Sequence, residues 1–193
     1  MDMIKGKEVG KPRLDIMIDM ETVSLAENAG ILSLAMLPFS RGKETLGIEP
    51  FSRTVDLASC FMAGMCMTGS QEWWMKQEPK AVSAIVNAEK QSISHVMNDA
   101  HTYLSALAET YELIMWSRGT DFDFPKLEWC FRKFVEKDSP YCYWNKRDVR
   151  TIIHEMRIDE TQFEFEGIKH NALDDCRHQV KLVREALLRI TEE

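Results

Sequence analysis

RLDIMIDMET, residues 13–22, is the stretch on which the reading of this chain turns. Arg13 to Met20 alternates and runs apolar, as a buried strand does. Residues two apart on a strand share a face. Asp19 and Glu21, at the strand's end, therefore present two carboxylates side by side. Unpaired, such acids repel, and near a core each must be desolvated at high cost or take up a proton. A divalent cation resolves the conflict, since Mg²⁺ and Mn²⁺ prefer hard oxygen ligands and keep waters for chemistry. The plainer reading is a strand end fraying into solvent with two hydrated acids. Asp-x-Glu by itself does not choose between them.

Working outward, Glu27 to Gly30 (ENAG) has turn composition, and Ile31 to Phe39 (ILSLAMLPF) predicts a second strand with Pro38 near its end. A third strand is expected between Lys43 and Pro50. From Ser70 the spacing turns helical. Ser70 suits the N-cap of a short helix that holds Trp73 and ends near Glu78–Pro79. Over Ser94 to Tyr111, Met97, Ala100, Leu104, Leu107 and Ala108 share one helical face. Glu112 to Ser117 (ELIMWS) predicts a core strand. Asp123-Phe124-Pro125 opens a helix with Pro in its first turn, and Tyr141 to Trp144 is expected to be a strand. Asp148 to Met156 is expected to be helical. The last helix starts near Asn171 and turns Ala172, Cys176, Val180, Val183 and Leu187 inward. This order describes an α/β chain with a mixed central sheet flanked by helices.

With 193 residues, 45% of them hydrophobic, the chain fits one compact domain over 1–193, with a short flexible N-terminus at 1–12. That N-terminus is mixed and charged and lacks the apolar stretch of a secretory signal. No apolar run reaches the ~18 residues of a membrane span. The cysteines at 60, 66, 130, 142 and 176 are odd in number and show no Cys-x-x-Cys spacing. Reduced thiols in a cytoplasm are expected, bacterial or, for a phage-encoded protein, the host's. A net charge of −7 excludes a protein that coats nucleic acid non-specifically. An enzyme gripping a few nucleotides is still allowed, with part of the negative charge belonging to a metal site.

Two more segments deliver acids at element ends. His170 lies on the approach to the last helix, and Asp175 about one turn into it. Read plainly, this is a capping segment, with Asn171 as N-cap and Asp174 and Asp175 favourable to the helix dipole. Trp116 to Asp123 follows the ELIMWS strand and precedes a helix, the place where α/β folds put their sites. Asp123 is either an N-cap or a group facing a metal.

Taken together, the three segments resemble the DEDDh branch of the DnaQ-like 3′–5′ exonucleases, whose fold is RNase H-like. The first motif of that family matches Asp19-Met20-Glu21-Thr22, the second Phe122-Asp123, and the third His170 followed by Asp175. Ala172-Leu173-Asp174 also fits the third motif. The resemblance spans Asp15 to about Leu188. Glu72-Trp73-Trp74 and Arg147-Asp148-Val149-Arg150-Thr151 are similar to phage DexA-like exonucleases and small bacterial 3′–5′ exoribonucleases. One departure stands out. The second motif often carries Asn shortly before its Asp, where this chain has Ser117-Arg118-Gly119, and Asp121 lies close enough to compete with Asp123.

The resemblance implies a two-metal-ion hydrolase that shortens single-stranded DNA or RNA from its 3′ end and releases nucleoside 5′-monophosphates. Its cofactors would be two divalent cations, Mg²⁺ or Mn²⁺. Asp19 would bridge them, Glu21 and Asp175 would complete one site, Asp123 would support the other, and His170 would be the general base. An imidazole suits that task because it exchanges protons near neutral pH. Substrate would meet Met20, Thr22, Arg118 and Trp73. No membrane is involved, and a homodimer is an allowed assembly. The competing reading is a non-catalytic nucleic-acid-binding or scaffold domain of the same fold, but none of the acids nor the histidine is lost.

Other residues leave alternatives open. Trp73 and Trp74 face about 100° apart on a helix, so one is expected to pack and the other is free for bases. Lys146, Arg147 and Arg150 either hold phosphates or pair with Asp148 and Glu155. Lys126 flanks the second motif, where it would touch substrate.

Overall fold

A computed structural model describes residues 10–42 and 44–192. Residues 1–9, most of the expected flexible N-terminus, and Lys43 lie outside the described residues. Lys11 and Pro12 are tied to the body: Lys11 Nζ donates to the Ala108 carbonyl, and the Pro12 carbonyl accepts from Glu112 N–H at 2.9 Å.

A six-stranded mixed sheet forms the centre, in the order β4-β3-β2-β1-β5-β6. β1 (Arg13–Thr22) and β2 (Ile31–Phe39) lie where the apolar alternation places them and pair antiparallel, with a register shift between Glu21 and Thr22. β3 (Phe51–Val55) adds antiparallel to β2, and β4 (Lys90–Gln91) parallel to β3. β5 (Glu112–Ser117) runs parallel to β1, and β6 (Lys146–Asp148) parallel to β5.

Strand alternation builds two cores, one on each face. Leu14, Ile16, Ile18 and Met20 point into the layer of α1 (Leu57–Met62), α4 (Ile93–Thr110) and α5 (Thr120–Cys130). Met17 points into the layer of α6 (Val149–Glu155) and α7 (Ala172–Glu192). By the same alternation Asp15, Asp19 and Glu21 are directed to the α7 side, the side from which Asp175 comes. Each fully buried Ile or Leu in these cores contributes ~1.5–3 kcal/mol relative to leaving it exposed.

Several expected boundaries move. The third strand is Phe51–Val55, not a segment between residues 43 and 50. Phe51 and Val55 are buried there while Ser52 and Arg53 are exposed. α2 (Gln71–Trp74) is a single turn, and Pro79 opens α3 (Pro79–Asn87) instead of ending a helix, with its fixed φ suited to the first helical position. Tyr143–Asn145 forms a 3₁₀ turn instead of a strand, and the pairing segment is the next three residues. α5 starts at Thr120, three residues before Asp123, because Gly119 breaks the chain with φ +110°. Asp123 is therefore inside the helix and does not cap it.

Candidate active site

β1 outruns its neighbour. The parallel ladder to β5 ends at Met17–Trp116, while β1 continues to Thr22. Beyond Ser117 the β5–α5 turn swings away, and the last residues of β1 line a cleft. α5 enters this gap. The Asp123 carboxylate accepts a hydrogen bond from the Met20 backbone N–H, a donor the ladder no longer uses. From the other side α7 brings Asp175. Its carboxylate accepts from the His170 backbone N–H, which ties the helix to the preceding turn. Asp19, Glu21, Asp123, His170 and Asp175 all line one cavity of about 630 Å³.

The acids lack matching cations. Asp15, on the same strand, shows the contrast: Arg41 forks onto it at 2.8 and 3.0 Å, and Trp116 Nε1 donates to it at 2.7 Å. No such fork meets Asp19, Glu21, Asp123 or Asp175 among the described residues. Burial pushes Asp19 well above the usual carboxylate range, and the charges of Asp123, Glu21 and Asp175 push it further. Glu21 is pushed up to about 9, first by burial and then by Asp175 and Asp123. Burial raises Asp123 to about 7 against the pull of Lys126, the Met20 N–H and Arg150. Burial raises Asp175 to about 6 against the pull of His170. At neutral pH the four cannot all be ionised without added positive charge. Glu21, His170 and Asp175 each bring a ligand atom within 4.8 Å of the others. An oxygen-rich set of this kind fits a hard divalent cation.

His170 occupies the left-handed region at φ +64°, a conformation His adopts more readily than most residues. Its Nδ1 lies 3.6 Å from Glu21 Oε1. Two aromatic edges brace the ring, Trp73 at 4.7 Å and Trp74 at 6.2 Å between centroids. The tryptophans divide their roles. Trp74 Nε1 donates to the Thr22 carbonyl at 2.9 Å, fixing α2 to the end of β1, while Trp73 is 44% exposed and lines the cavity.

The other expected contacts are placed as follows. Met20, Thr22 and Arg118 also line the cavity. The Met20 N–H is engaged by Asp123, and Thr22 Oγ1 donates to the Ser24 carbonyl at 2.8 Å, so both serve the frame of the site. Arg118 forks onto Glu160 at 2.7 and 3.0 Å. Lys126 is not among the residues that line the cavity. It is 2% exposed, its Nζ donates to the Phe122 and Leu25 carbonyls and it lies 3.5 Å over the Phe122 ring. Asp121 lines a different cavity, with Trp116 and Lys146, so the second acid of the cleft is Asp123. Asp148 makes no ion pair with its basic neighbours among the described residues. It caps α6 and accepts from the Gly119 N–H at 2.9 Å. Of the basic trio, Lys146 pairs with Glu128, Arg147 donates to backbone carbonyls, and Arg150 alone reaches the cavity.

Gln179 and Leu25, which also line the cavity, were not read from the sequence as parts of the site. Gln179 is 5% exposed, and its Nε2 donates to Asp19 Oδ1 at 2.9 Å. Helical spacing carried the signal, since Gln179 follows Asp175 by one turn.

Over residues 14–187 the chain matches the Rv2179c-like family, described as a 3′–5′ exoribonuclease Rv2179c-like domain. It is 26% identical over 204 residues to the exodeoxyribonuclease of Enterobacteria phage T4, covering 90% of this chain and 88% of that one. Among solved structures it is similar to the zinc-bound E. coli exonuclease I–ssDNA complex, with TM-score 0.60 and 14% identity over 93% of this chain, and it spans 41% of that chain. It is also similar to the nuclease domain of 3′hExo, a DEDDh family member bound to rAMP, with TM-score 0.57 and 12% identity over 91% of this chain and 92% of that one. The two solved structures speak for the RNase H-like fold. The ordered motifs and the family match speak for the activity: the chain belongs to the Rv2179c-like family of 3′–5′ exoribonuclease domains and is a 3′–5′ exonuclease of the DEDDh type.

Proposed function

We propose that the enzyme removes nucleoside 5′-monophosphates one at a time from the 3′ end of single-stranded DNA or RNA, using two divalent cations, Mg²⁺ or Mn²⁺, held by Asp19, Glu21, Asp123 and Asp175. One observation carries this reading. Four acids from three separate elements surround one cavity without a guanidinium partner among the described residues, although Asp15 on the same strand has one. When bound, the cations supply the charge that activates a water and stabilises the departing oxygen.

The chain's own groups do the remaining tasks. His170 takes the proton of the attacking water. The water oxygen bonds to phosphorus, the bond from phosphorus to the 3′ oxygen of the preceding nucleotide breaks, and that oxygen is protonated from solvent. Such proton transfer contributes typically 10²–10⁴-fold. Trp73, exposed by 44% at the cavity wall, offers a face on which an unpaired terminal base stacks, and Leu25, exposed by 74%, offers an apolar surface for it to pack against. Arg150, turned to the cavity without a carboxylate partner in ion-pair distance among the described residues, offers a phosphate contact. Single strands are supported by those exposed faces and by the exonuclease I–ssDNA relative. Both sugars stay in the proposal because the relatives include an exodeoxyribonuclease and an exoribonuclease family.

The test uses 3′- and 5′-labelled DNA and RNA single strands with Mg²⁺, Mn²⁺ or Ca²⁺. The 3′ label is expected to leave first as a mononucleotide, while the 5′-labelled strand shortens by single steps with Mg²⁺ or Mn²⁺ and stays intact with Ca²⁺. Internal fragments, or cleavage in chelator, contradict the reading.

A further inference from the structure

Gln179 lines the site with its hydrogen bonding half complete. Its Nε2 donates to Asp19 Oδ1 at 2.9 Å, while its Oε1 is buried with no hydrogen-bond partner among the described residues. Native proteins rarely leave a buried amide oxygen without a donor, because its desolvation is then uncompensated. With cations bound, Asp19 is ionised and only accepts, so the NH₂ end must then face it and the carbonyl end lies on the other side. Gln179 is part of the wall of the cavity that holds the acids. The orphan acceptor thus belongs to a residue in the wall around the place where hydrated cations would sit.

The choice of residue type follows from charge. Asp19 already has Asp123, Glu21 and Asp175 as repelling neighbours. A carboxylate at position 179 would add to that repulsion, and a lysine or arginine would neutralise Asp19 and compete with a cation. A neutral amide holds Asp19 in place without altering the charge of the site.

We propose that Gln179 is a positioning residue of the cation centre: its NH₂ end fixes the Asp19 carboxylate, and its carbonyl oxygen accepts from a water carried by a divalent cation. This rests on the two-cation reading above. Groups that orient metal ligands in this way typically change metal affinity or activity by 10–100-fold when replaced.

The test is Q179M, close to glutamine in length and without either hydrogen-bonding end. Mn²⁺ binding is measured by calorimetry at constant pH, with melting of the metal-free protein alongside. Affinity is expected to fall about 10–100-fold while the metal-free protein melts no lower than the parent. KM for a single strand should hold, and the lost kcat should return at raised Mn²⁺. Wild-type Mn²⁺ affinity in folded Q179M overturns the proposal. Should Q179M not fold, a crystal structure of the parent with Mn²⁺ decides. A water touching both the metal and Gln179 Oε1 supports the inference, and an Oε1 without one overturns it. A parent protein that takes up no Mn²⁺ at all sinks the cation reading, and this inference with it, a result distinct from normal binding by Q179M.

Discussion

Cation binding should expel protons, and the number follows from the site. Without metal, Glu21 titrates near 9 and Asp123 near 7. At pH 7 Glu21 therefore holds close to one proton and Asp123 about half of one, and Asp19, also raised, adds to them. A carboxylate must lose its proton to ligate, so Glu21 and Asp123 alone should release roughly 1.5 protons on binding at pH 7, with Asp19 adding to them. Apparent affinity for Mn²⁺ should then rise at least about 30-fold between pH 6.5 and 7.5. The same shifts fix the stability of the metal-free protein. A folded-state value above the unfolded one favours folding only while the group is protonated. That contribution is whole below the ordinary carboxylate values of 3.8 and 4.5. It is lost as pH rises through about 6 for Asp175, 7 for Asp123 and 9 for Glu21. Metal-free protein should thus melt lower at pH 8 than at pH 6, and saturating Mn²⁺ should raise its melting temperature more at pH 8. Calorimetric titration in two buffers of different ionisation enthalpy counts the protons directly. Mn²⁺ binding with no proton release and no pH dependence over that unit would refute the electrostatic account of the cleft.

Asp19→Ala and Asp175→Ala should each lower kcat by roughly 10³-fold or more, equivalent to several kcal/mol, without lowering the metal-free melting temperature. Substantial turnover in a clean Asp19→Ala preparation would remove Asp19 from the metal site. His170→Ala should keep Mn²⁺ affinity near wild type while kcat drops ~10²–10⁴-fold, and an unchanged rate rules the imidazole out as base. Gly119→Ala forces a side chain into φ +110° and sets its Cβ 2.8 Å from Arg150 Nη1. Thermal melting should show a loss of ~1–3 kcal/mol, and an unchanged melting temperature would mean the β5–α5 turn tolerates other backbone angles.

The parts of this molecule that could be read in advance are those whose local pattern and tertiary role agree. β1 and β2 are buried on both faces or nearly so, and their apolar runs say so. The alternation in β1 also placed Asp19 and Glu21 on one face, and α7 showed its inward stripe directly. β6 was hidden because it is three residues of Lys-Arg-Asp, held as a strand only by pairing to β5. The start of α5 was misplaced because Pro125 suggested a first turn, whereas Gly119 sets the break four residues before Asp123. Lys126 looked like a substrate contact beside the second motif. Only the folded chain brings the Leu25 carbonyl to its ammonium, across about a hundred residues of sequence. Gln179 was missed for a related reason. Its one signal is a place one helical turn after Asp175, which counts only once that acid is known to face the cleft.

The claim beneath everything else is that Asp19, Glu21, Asp123 and Asp175 share two divalent cations. Anomalous diffraction at the manganese edge from crystals soaked in Mn²⁺ tests it most directly. Two peaks are expected in the cleft, roughly 3.5–4 Å apart and touching oxygens of those four residues. A cleft without peaks, or a single ion that leaves Asp123 and Asp175 untouched, would contradict the account.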